Sequence, residues 1–448
     1  MFKIVLTGGP CAGKTTILSV LTQTLEERGY TCLICEEAAS SVIMGGIKPY
    51  RNGMTMNEFQ QFVLDKQLDN EKIFENAIPY FDKDKLIIIY DRGLCDQMAY
   101  VSKDFFQKLL EERNMTISQA ENRYDLVVHL VTAAKGAVEH YEWNDPSKVE
   151  TGNNAARYET PEEAIILDEK TMNAWMGHPH LKVIDNSTDF DGKIQRVKEE
   201  VFAALGEPIP KEIERKFLIK MPSKKQLDAL GCISETNIIQ TYLKRNDSTV
   251  ERRIRQRGTK EGGYTFYYTE KKDIGNGERF ENEEKLMQSD YISLLMEADT
   301  SLRQIAKTRY CFIYQNRHFE LDIYSFDSEF AILEIELNDI REEIELPPLE
   351  FIKEVTNDAM YKNNMLAKTQ SFPETTHIHW IYETGDEVPE ILGSGSQYFN
   401  VFTTTDKEEA MKKFKEGHRN YLYRYATIDR KTVREYFDVE ENTWTKGW

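Results

Sequence analysis

The chain has 448 residues, a hydrophobic fraction of 40% and a formal net charge of −19 at pH 7. Domains usually span about 100–200 residues, so this length predicts two or three of them, with enough apolar residues for ordinary cores. The negative charge excludes a general nucleic-acid-binding surface, and a polyanionic ligand requires a local basic site.

The six cysteines are scattered along the chain, which is typical of proteins from a reducing compartment. The apolar run Phe2–Leu6 is too short for the core of a signal peptide, and no apolar stretch approaches the length of a membrane-spanning helix. We therefore predict a cytoplasmic protein without a membrane span.

Residues 1–205 alternate short apolar runs with longer amphipathic stretches. Near-continuous apolar strands are buried on both faces, which predicts a parallel sheet with helices on each side. The predicted strands are Phe2–Leu6, Thr31–Cys35, Leu86–Tyr90, Leu126–Val131 and Leu181–Ile184, and the predicted helices include Thr15–Arg28, Glu58–Ile78 and Lys193–Leu205.

A linker is predicted at 206–211, because two prolines and a glycine there break the preceding helix. Strand-like runs with period-two alternation dominate 212–370, and helices are predicted at Tyr291–Leu302 and Glu350–Lys368. Pro373 marks a second break. The tail 373–448 has predicted strands at His377–Tyr382, Tyr398–Thr403 and Tyr421–Thr427, and a predicted helix at Lys407–Glu416. We expect a small α/β module that packs on the preceding domain; a module that binds a protein partner is the alternative.

The first motif is a glycine-rich loop, Gly8-Gly-Pro-Cys-Ala-Gly13-Lys14-Thr15, which satisfies GxxxxGK[ST] between a predicted strand and a predicted helix. In such a loop the backbone N–H groups turn toward phosphate oxygens, and the helix N-terminus adds the positive end of its dipole. We predict that Gly8, Gly13, Lys14 and Thr16 bind ATP or GTP. The Thr15 hydroxyl is expected to contact both the nucleotide and its Mg²⁺ ion.

Two acids are candidates for catalysis beside this loop. Asp91 ends the apolar strand Leu86–Tyr90, and Glu37 follows the strand Thr31–Cys35. Ligands of parallel sheets bind at the carboxyl ends of the strands, so both acids are expected near the loop. An ordinary surface position at a strand end is the alternative for each.

The order of these elements resembles the kinase-like P-loop group, which includes AAA-type domains, nicotinamide riboside kinases and deoxynucleoside kinases. The resemblance rests on the phosphate loop, Glu36-Glu37-Ala-Ala, Asp91-Arg92-Gly93 and Ala156-Arg157-Tyr-Glu159. It implies that Glu37 acts on the phosphoryl acceptor and that Arg157 covers the phosphates from a lid, with a solvated surface arginine as the alternative. Kinase, NTPase and switch functions all remain open.

The second half carries charges at alternate positions of its predicted strands. Glu212, Glu214 and Lys216 project to one face, because residues two apart on a strand share a face. The same alternation recurs at Glu251/Arg253/Arg255/Arg257, Arg279/Glu281/Glu283, Lys307/Arg309, Glu320/Asp322 and Glu334/Glu336. The opposite faces are often apolar, so the charged faces point into a common space that must be wet, paired or occupied by ions. Mg²⁺ or Mn²⁺ on the acids and a polyphosphate on the bases would satisfy both sets.

This ordered series resembles the CYTH superfamily, the triphosphate tunnel metalloenzymes, whose ExExK signature stands here as Glu212, Glu214 and Lys216. The resemblance covers roughly 210–370 and implies an eight-stranded antiparallel tunnel with one or two divalent metals. The resemblance implies five metal-side acids, Glu212, Glu214, Asp322, Glu334 and Glu336. Two of them, Glu212 and Glu214, are also catalytic candidates. The implied phosphate ligands are Lys216, Arg253, Arg255, Lys271, Arg279, Lys307 and Arg309, with Lys272 able to replace Lys271 after a one-residue slip.

The predicted fold is therefore an α/β parallel-sheet P-loop domain (1–205), a linker (206–211), an α+β domain with an eight-stranded antiparallel β-tunnel (212–370) and the small C-terminal α/β module (373–448). The preferred function is a two-site enzyme that binds a nucleotide at the P-loop and hydrolyses a small-molecule triphosphate in the tunnel with a divalent metal. One alternative is a nucleotide-switched protein whose tunnel binds polyphosphate or phosphoinositide without turnover. Another is adenylate cyclisation in the tunnel.

Overall fold

The fold contains three β-sheets, of five, nine and five strands. The computed structural model describes residues 1–141, 159–207, 213–231, 233–245, 250–275, 278–337, 342–375, 381–388, 397–404, 407–416, 421–428, 431–439 and 443–446. Within these ranges no helix has both the length and the apolar character needed to cross a membrane.

The first sheet is parallel throughout, in the order β2-β3-β1-β4-β5, and it confirms the predicted parallel α/β domain. Its strands are β1 (Phe2–Gly8), β2 (Thr31–Cys35), β3 (Leu86–Asp91), β4 (Leu126–Leu130) and β5 (Leu181–Ile184). Its helices are α1 (Lys14–Glu27), α2 (Ala38–Met44), α3 (Met56–Ala77), α4 (Lys103–Glu111), α5 (Ile117–Glu121), α6 (Pro161–Ala174) and α7 (Phe190–Ala204). Short 3₁₀ helices lie at Ile78–Tyr80, Lys83–Lys85, Leu94–Ala99 and Val138–His140.

Helices cover both faces of this sheet because successive strand residues point to opposite sides. Ile4 belongs to a core with Leu21 of α1 and Val197 of α7. Its neighbour Val5 belongs to the core on the other side, with Phe106 of α4. The carboxyl ends of β1 and β3, where a ligand of a parallel sheet binds, are thereby held in fixed positions.

The second sheet is antiparallel, in the order β10-β9-β8-β7-β11-β12-β13-β6-β14. Its strands are β6 (Ile213–Lys220), β7 (Ser234–Tyr242), β8 (Val250–Thr259), β9 (Gly263–Gly275), β10 (Glu278–Leu286), β11 (Ile305–Tyr314), β12 (Arg317–Tyr324), β13 (Phe330–Leu337) and β14 (Phe351–Glu354). The helices α8 (Lys224–Asp228), α9 (Gln288–Leu295) and α10 (Asn363–Thr369) and a 3₁₀ turn at Ala359–Tyr361 accompany it.

Two predicted helices in this region are wrong in part. Helix α9 ends at Leu295, because Ala298 leaves the helical path and forms an isolated bridge with Leu243. The predicted helix Glu350–Lys368 begins instead as the edge strand β14, which pairs with β6. There Phe351 packs edge-to-face on Phe217, with ring centroids 5.7 Å apart. Tertiary packing therefore overrides the local helical pattern.

The third sheet is antiparallel, in the order β16-β15-β17-β18-β19. Its elements are β15 (Ile381–Val388), β16 (Gln397–Thr404), α11 (Lys407–Glu416), β17 (Tyr421–Ile428), β18 (Lys431–Asp438) and β19 (Thr443–Lys446). The first predicted tail strand falls largely on 377–380, which lie outside the described residues, and β15 starts at Ile381. Tyr425 joins this sheet to the rest, because the Arg303 guanidinium stacks 3.6 Å from the centroid of its ring.

Phe372 closes a core shared by the second and third sheets, and its ring lies 5.5 Å from those of Tyr324 and Phe326. Phe372→Ala is expected to lower the free energy of unfolding of this region by about 3–5 kcal/mol, because it removes a buried ring and leaves a cavity. Urea denaturation measures the loss. Ile292→Ala is the control, since Ile292 is exposed; equal effects of the two changes would contradict the assignment.

Candidate functional site

The phosphate loop connects β1 to α1 in a conformation that two glycines allow. Gly13 has φ +86°, and a Cβ there would lie 2.5 Å from the Phe190 ring. A Cβ on Gly8 would lie 2.1 Å from the Leu130 carbonyl oxygen. Both positions therefore exclude side chains, and the loop backbone leads directly into the N-terminus of α1, where Lys14, Thr15 and Thr16 stand.

Asp168 of α6 supports this loop from behind, a role that sequence reasoning missed. Its carboxylate accepts hydrogen bonds from the backbone N–H groups of Gly9 (2.8 Å) and Thr132 (3.1 Å). Burial alone would raise the pKa of Asp168, but the nearby His129 imidazole and these N–H groups lower it. Asp168 is thus a buried anion that fixes the loop, and no motif around it indicated this partnership.

The two acids predicted for the loop lie beside Lys14. Burial and the Arg92 guanidinium lower the pKa of Lys14, whereas Asp91 and Glu37 oppose that shift. Arg92 donates to Glu37 over 2.7 Å and approaches Asp96 at 3.3 Å. Sequence reasoning noted Arg92 only as a neighbour of Asp91. Its φ of +69°, unusual for a residue with a side chain, was not predictable from the sequence.

Glu37 and Asp91 differ in their electrostatic surroundings. Burial opposes ionisation of Glu37, but Arg92 and Lys14 outweigh it and lower the pKa of that carboxyl. Burial raises the pKa of Asp91. The Asp91 Oδ1 atom is buried and has no hydrogen-bond partner within the described ranges, as expected of a carboxylate that faces a bound ion. The predicted lid residue Arg157 lies outside the described residues.

The strand register of the second sheet brings onto one face those predicted tunnel residues whose side chains the structure describes, and we call it the charged face. Residues paired directly across antiparallel strands point to the same side. Glu214 of β6 pairs with Glu336 of β13, and Lys216 pairs with Glu334. The remaining pairs continue across the sheet as Glu334–Glu320, Asp322–Arg309, Tyr324–Lys307, Gln240–Arg255, Tyr242–Arg253, Arg253–Thr269, Glu251–Lys271 and Thr269–Glu283.

Opposite charges neutralise one another along the middle of this face. The Arg309 guanidinium bonds both oxygens of Asp322, each at 2.7 Å, and also reaches Glu334 at 3.0 Å. Lys307 contacts Asp322 as well. Glu320, which was not among the predicted ligands, also contacts Arg309. Asp322 is completely buried, so these partners are what make its charge tolerable.

Lys216 forms the corresponding centre on β6. Its Nζ lies 2.8 Å from Glu334 and 3.0 Å from Glu214. Burial opposes ionisation of Lys216, but the negative charges of Glu334 and Glu214 outweigh it and raise the pKa of Lys216. Burial likewise opposes ionisation of Glu334, but basic groups, with Lys216 the strongest, lower the pKa of Glu334. Lys307 differs, since burial lowers its pKa despite Asp322.

Arg255 stands at the other side of the face, paired with Glu283. Its buried Nε has no hydrogen-bond partner within the described part of the chain, which leaves a donor for a bound anion. Glu212 and the Arg279 side chain fall outside the described residues. Among the residues that are described, no group of three or more His, Cys, Asp or Glu side chains is arranged to hold a metal ion.

Residues 3–193 match the family of AAA domains. The inorganic triphosphatase of Nitrosomonas europaea is 33% identical over 159 residues, which cover 35% of this chain and 96% of that protein. A crystal structure of the inorganic triphosphatase NE1496 aligns at 28% identity and a TM-score of 0.26, covering 35% of this chain and 94% of that one. The structure of the PH1012 protein from Pyrococcus horikoshii OT3 aligns at 20% identity and a TM-score of 0.22, covering 29% and 80%.

The match to AAA domains and the curated relative define the class: a P-loop nucleotide-binding domain of the AAA type is followed by a region related to triphosphatases. The chain belongs to the CYTH-type inorganic triphosphatase family. The predicted fusion of a kinase-like P-loop domain with a CYTH domain is thereby confirmed.

Asp168→Asn is expected to lower the free energy of unfolding at pH 7 by about 1–2 kcal/mol, because a charge-assisted pair of backbone hydrogen bonds is weakened. The folded-state pKa is depressed, so this stabilisation is present above the ordinary aspartate pKa of about 3.9 and is lost as pH falls through the lower folded value. Urea denaturation of both proteins between pH 7 and pH 3 measures the difference, which should shrink at low pH.

Glu169→Gln, on an exposed neighbour in the same helix, provides the control for removing a negative charge. A stability difference for Asp168→Asn that stayed constant across this pH range would contradict the role of the ionised carboxylate.

Proposed function

We propose that the chain is a two-site enzyme that hydrolyses a triphosphate on the charged face and binds ATP or GTP at the phosphate loop. The observation that carries this proposal is the charged face itself, where acids and bases from many strands of one sheet share one side and the buried Nε of Arg255 is left as a donor within the described part of the chain. The similarity to a protein named inorganic triphosphatase supports the same reaction class.

We further propose that strands β6 to β13 curl into the eight-stranded tunnel. Lys285 of β10 and Glu336 of β13 stand far apart in the strand order, yet both bond to the parallel-sheet domain, Lys285 to Asp125 at 2.9 Å and Glu336 to Lys182 at 2.7 Å. Asp125 and Lys182 are close to each other, because β4 begins just after Asp125 and pairs with β5, where Val128 lies opposite Lys182. A flat sheet could not bring both strands to one small surface.

In this proposal the domains are 1–205, 212–370 and 373–448. The phosphate ligands of the tunnel are the predicted bases, Lys216, Arg253, Arg255, Lys271, Arg279, Lys307 and Arg309. Their number suits a polyanion such as triphosphate, since guanidinium groups bind phosphate oxygens with two parallel hydrogen bonds. The third sheet is proposed to pack on the second domain through the core that contains Phe372 and Tyr425.

Divalent metal is part of the proposal, and the chemistry of the acids fits it. Glu214 and Glu336 are direct cross-strand partners, and their carboxylates are the hard oxygen ligands that Mg²⁺ and Mn²⁺ prefer. Glu212, Glu334 and Asp322 complete the proposed ligand set. When bound, the metal supplies charge neutralisation for the phosphates and an acidified water.

Hydrolysis breaks one phosphoanhydride bond, as a water oxygen forms a new bond to the terminal phosphorus and the remaining diphosphate leaves with the bond electrons. The bases of the charged face hold the phosphate oxygens and stabilise the charge that moves onto the leaving group. Glu212 and Glu214 are the candidates that accept the proton from water.

At the phosphate loop, Gly8, Gly13, Lys14 and Thr16 are proposed to cradle the nucleotide phosphates, with Thr15 and the half-buried Asp91 on the Mg²⁺ side. Glu37, which is held by Arg92, is proposed to act on an acceptor or water. Transfer of phosphate to an acceptor would identify a kinase, release of phosphate an NTPase, and nucleotide binding without turnover a switch.

Glu214→Ala is expected to reduce hydrolysis of inorganic triphosphate by at least about 100-fold, because the change removes a proposed metal ligand and base. Phosphate release in Mg²⁺ or Mn²⁺ measures the loss. Lys14→Ala should leave this activity in place, and Glu350→Ala, at an exposed glutamate, controls for the substitution. Tight triphosphate binding without turnover in the wild type would instead favour the switched binding protein, and cyclic nucleotide among the products of ATP would favour the cyclase.

Lys14→Ala is also expected to weaken binding of ATP or GTP by about 10–100-fold, because a charge-assisted contact to the terminal phosphates is lost. Calorimetric titration with each nucleotide measures the change and the base preference. Unaltered affinity in this variant would remove the phosphate loop as the nucleotide site.

Removal of divalent ions with a chelator is expected to abolish triphosphate hydrolysis, and added Mg²⁺ or Mn²⁺ should restore it. The loss should occur equally in Lys14→Ala, because the tunnel metal is separate from that at the loop. Full activity in the presence of chelator would rule out the metal-dependent mechanism.

A further inference from the structure

The parallel-sheet domain covers one end of the charged face. The carbonyl oxygens of Met176 and Gly177, which follow α6, accept from His318 of β12 (3.3 Å) and from Arg257 of β8. Both of these residues lie on the charged face by register. The loop after α6 therefore bridges strands that are separated by β7 and β11 in the sheet order.

A second loop of the same domain contacts the strands at the other side. The Lys285 ammonium donates to the carbonyl oxygens of Asn122 and Tyr124, at 2.8 and 3.1 Å. The hydroxyl of Tyr267, on β9, contacts Asn122. Five strands, β8, β9, β10, β12 and β13, thus present a polar side chain to this domain at the same end.

These contacts are firmly packed. Arg257 is only 5% exposed, and Met176 belongs to an apolar cluster with Phe319 and Ile335. A Cβ on Gly177 would lie 2.9 Å from Ser234 Oγ, so the loop backbone touches β7 directly. The surface between the domains leaves no space for a side chain at this point.

Two side chains of β5 and its preceding turn face the charged groups at this end. The Lys182 Nζ lies 2.7 Å from Glu336 and 3.7 Å from Glu200 of α7. Burial lowers the pKa of His180, although the negative charges of Glu336 on β13 and Glu283 on β10 raise it. The residues of the first domain therefore lie near acids of both strands.

We infer that the parallel-sheet domain forms the closed end of the tunnel, and that Lys182 is a positioning residue of the tunnel site that acts through Glu336. This inference rests on the proposed function of that site. Lys182 holds the Glu336 carboxylate beside Glu214, its cross-strand partner. The Lys182 ammonium also adds a positive charge where a terminal phosphate would stop.

The consequence is a limit on the substrate. A triphosphate that enters the tunnel meets the Met176–Lys182 segment with its leading phosphate. Because this segment leaves no space beyond it, the leading phosphate has to be unesterified. ATP meets this condition with its γ-phosphate, whereas a triphosphate that is esterified at both ends does not.

The test uses the full chain with Lys182→Met, which keeps the apolar stem, Lys182→Arg, which keeps the charge, and Lys412→Met as the control at an exposed lysine. Thermal unfolding verifies that each variant is folded. KM and kcat are measured with tripolyphosphate and with ATP in Mg²⁺. Lys182→Met is expected to raise KM for tripolyphosphate about tenfold with a smaller change in kcat, and Lys182→Arg should restore most of it.

A KM for tripolyphosphate within twofold of the wild type in Lys182→Met overturns the inference. If the wild type hydrolyses no triphosphate, the proposed function fails first. Calorimetric binding of tripolyphosphate then decides the role of Lys182: weaker binding in Lys182→Met supports it, and equal or absent binding overturns it.

Discussion

The second domain depends on the mutual neutralisation of charges that its sheet buries. An isolated ionised group inside a protein costs several kcal/mol, so each acid on the charged face needs a base within hydrogen-bond distance. Asp322 is fully buried and survives because Arg309 and Lys307 both reach it. The strand register places those partners beside Asp322. A shift of one strand by one residue would turn all of its charged side chains into the apolar core on the other side of the sheet.

The common direction of the parallel strands also explains how the first domain can carry a nucleotide site and contact the second domain. The phosphate loop lies at the carboxyl ends of the parallel strands, whereas Tyr124 and Lys182 mark the opposite, amino-terminal edge near β4 and β5. The parallel sheet can therefore present its loop to a nucleotide and its other edge to the charged face without conflict. Helix α6 connects the two edges. Within the helix, Asp168 accepts a hydrogen bond from Gly9 of the phosphate loop, and just beyond its end Met176 contacts His318 of the second domain.

The sequence was informative wherever chemistry is local in the chain. The phosphate loop, the acids at strand ends and the period-two charges all follow from short spacings, and the parallel sheet follows from runs such as Leu86–Tyr90. What the sequence could not provide was the choice of distant partners. Asp168, Arg92 and Lys182 were missed because each gains its meaning from a residue 36 to 159 positions away or from an unusual backbone angle. The edge strand β14 was mistaken for a helix because its packing against Phe217 is not visible in its own residues.

Arg309 binds Asp322 through both of its oxygens, and this arrangement has a consequence for which anions can enter. An incoming ligand must take the place of an internal counter-ion that is already held in the best geometry for a guanidinium. A monovalent anion such as chloride offers a single weak contact and loses that competition. A polyphosphate offers several oxygens to several bases at once, so its contacts add in one binding event. Under the proposed function, the acids of the charged face thus select ligands by charge: highly charged anions displace them from the bases, and simple monovalent anions do not.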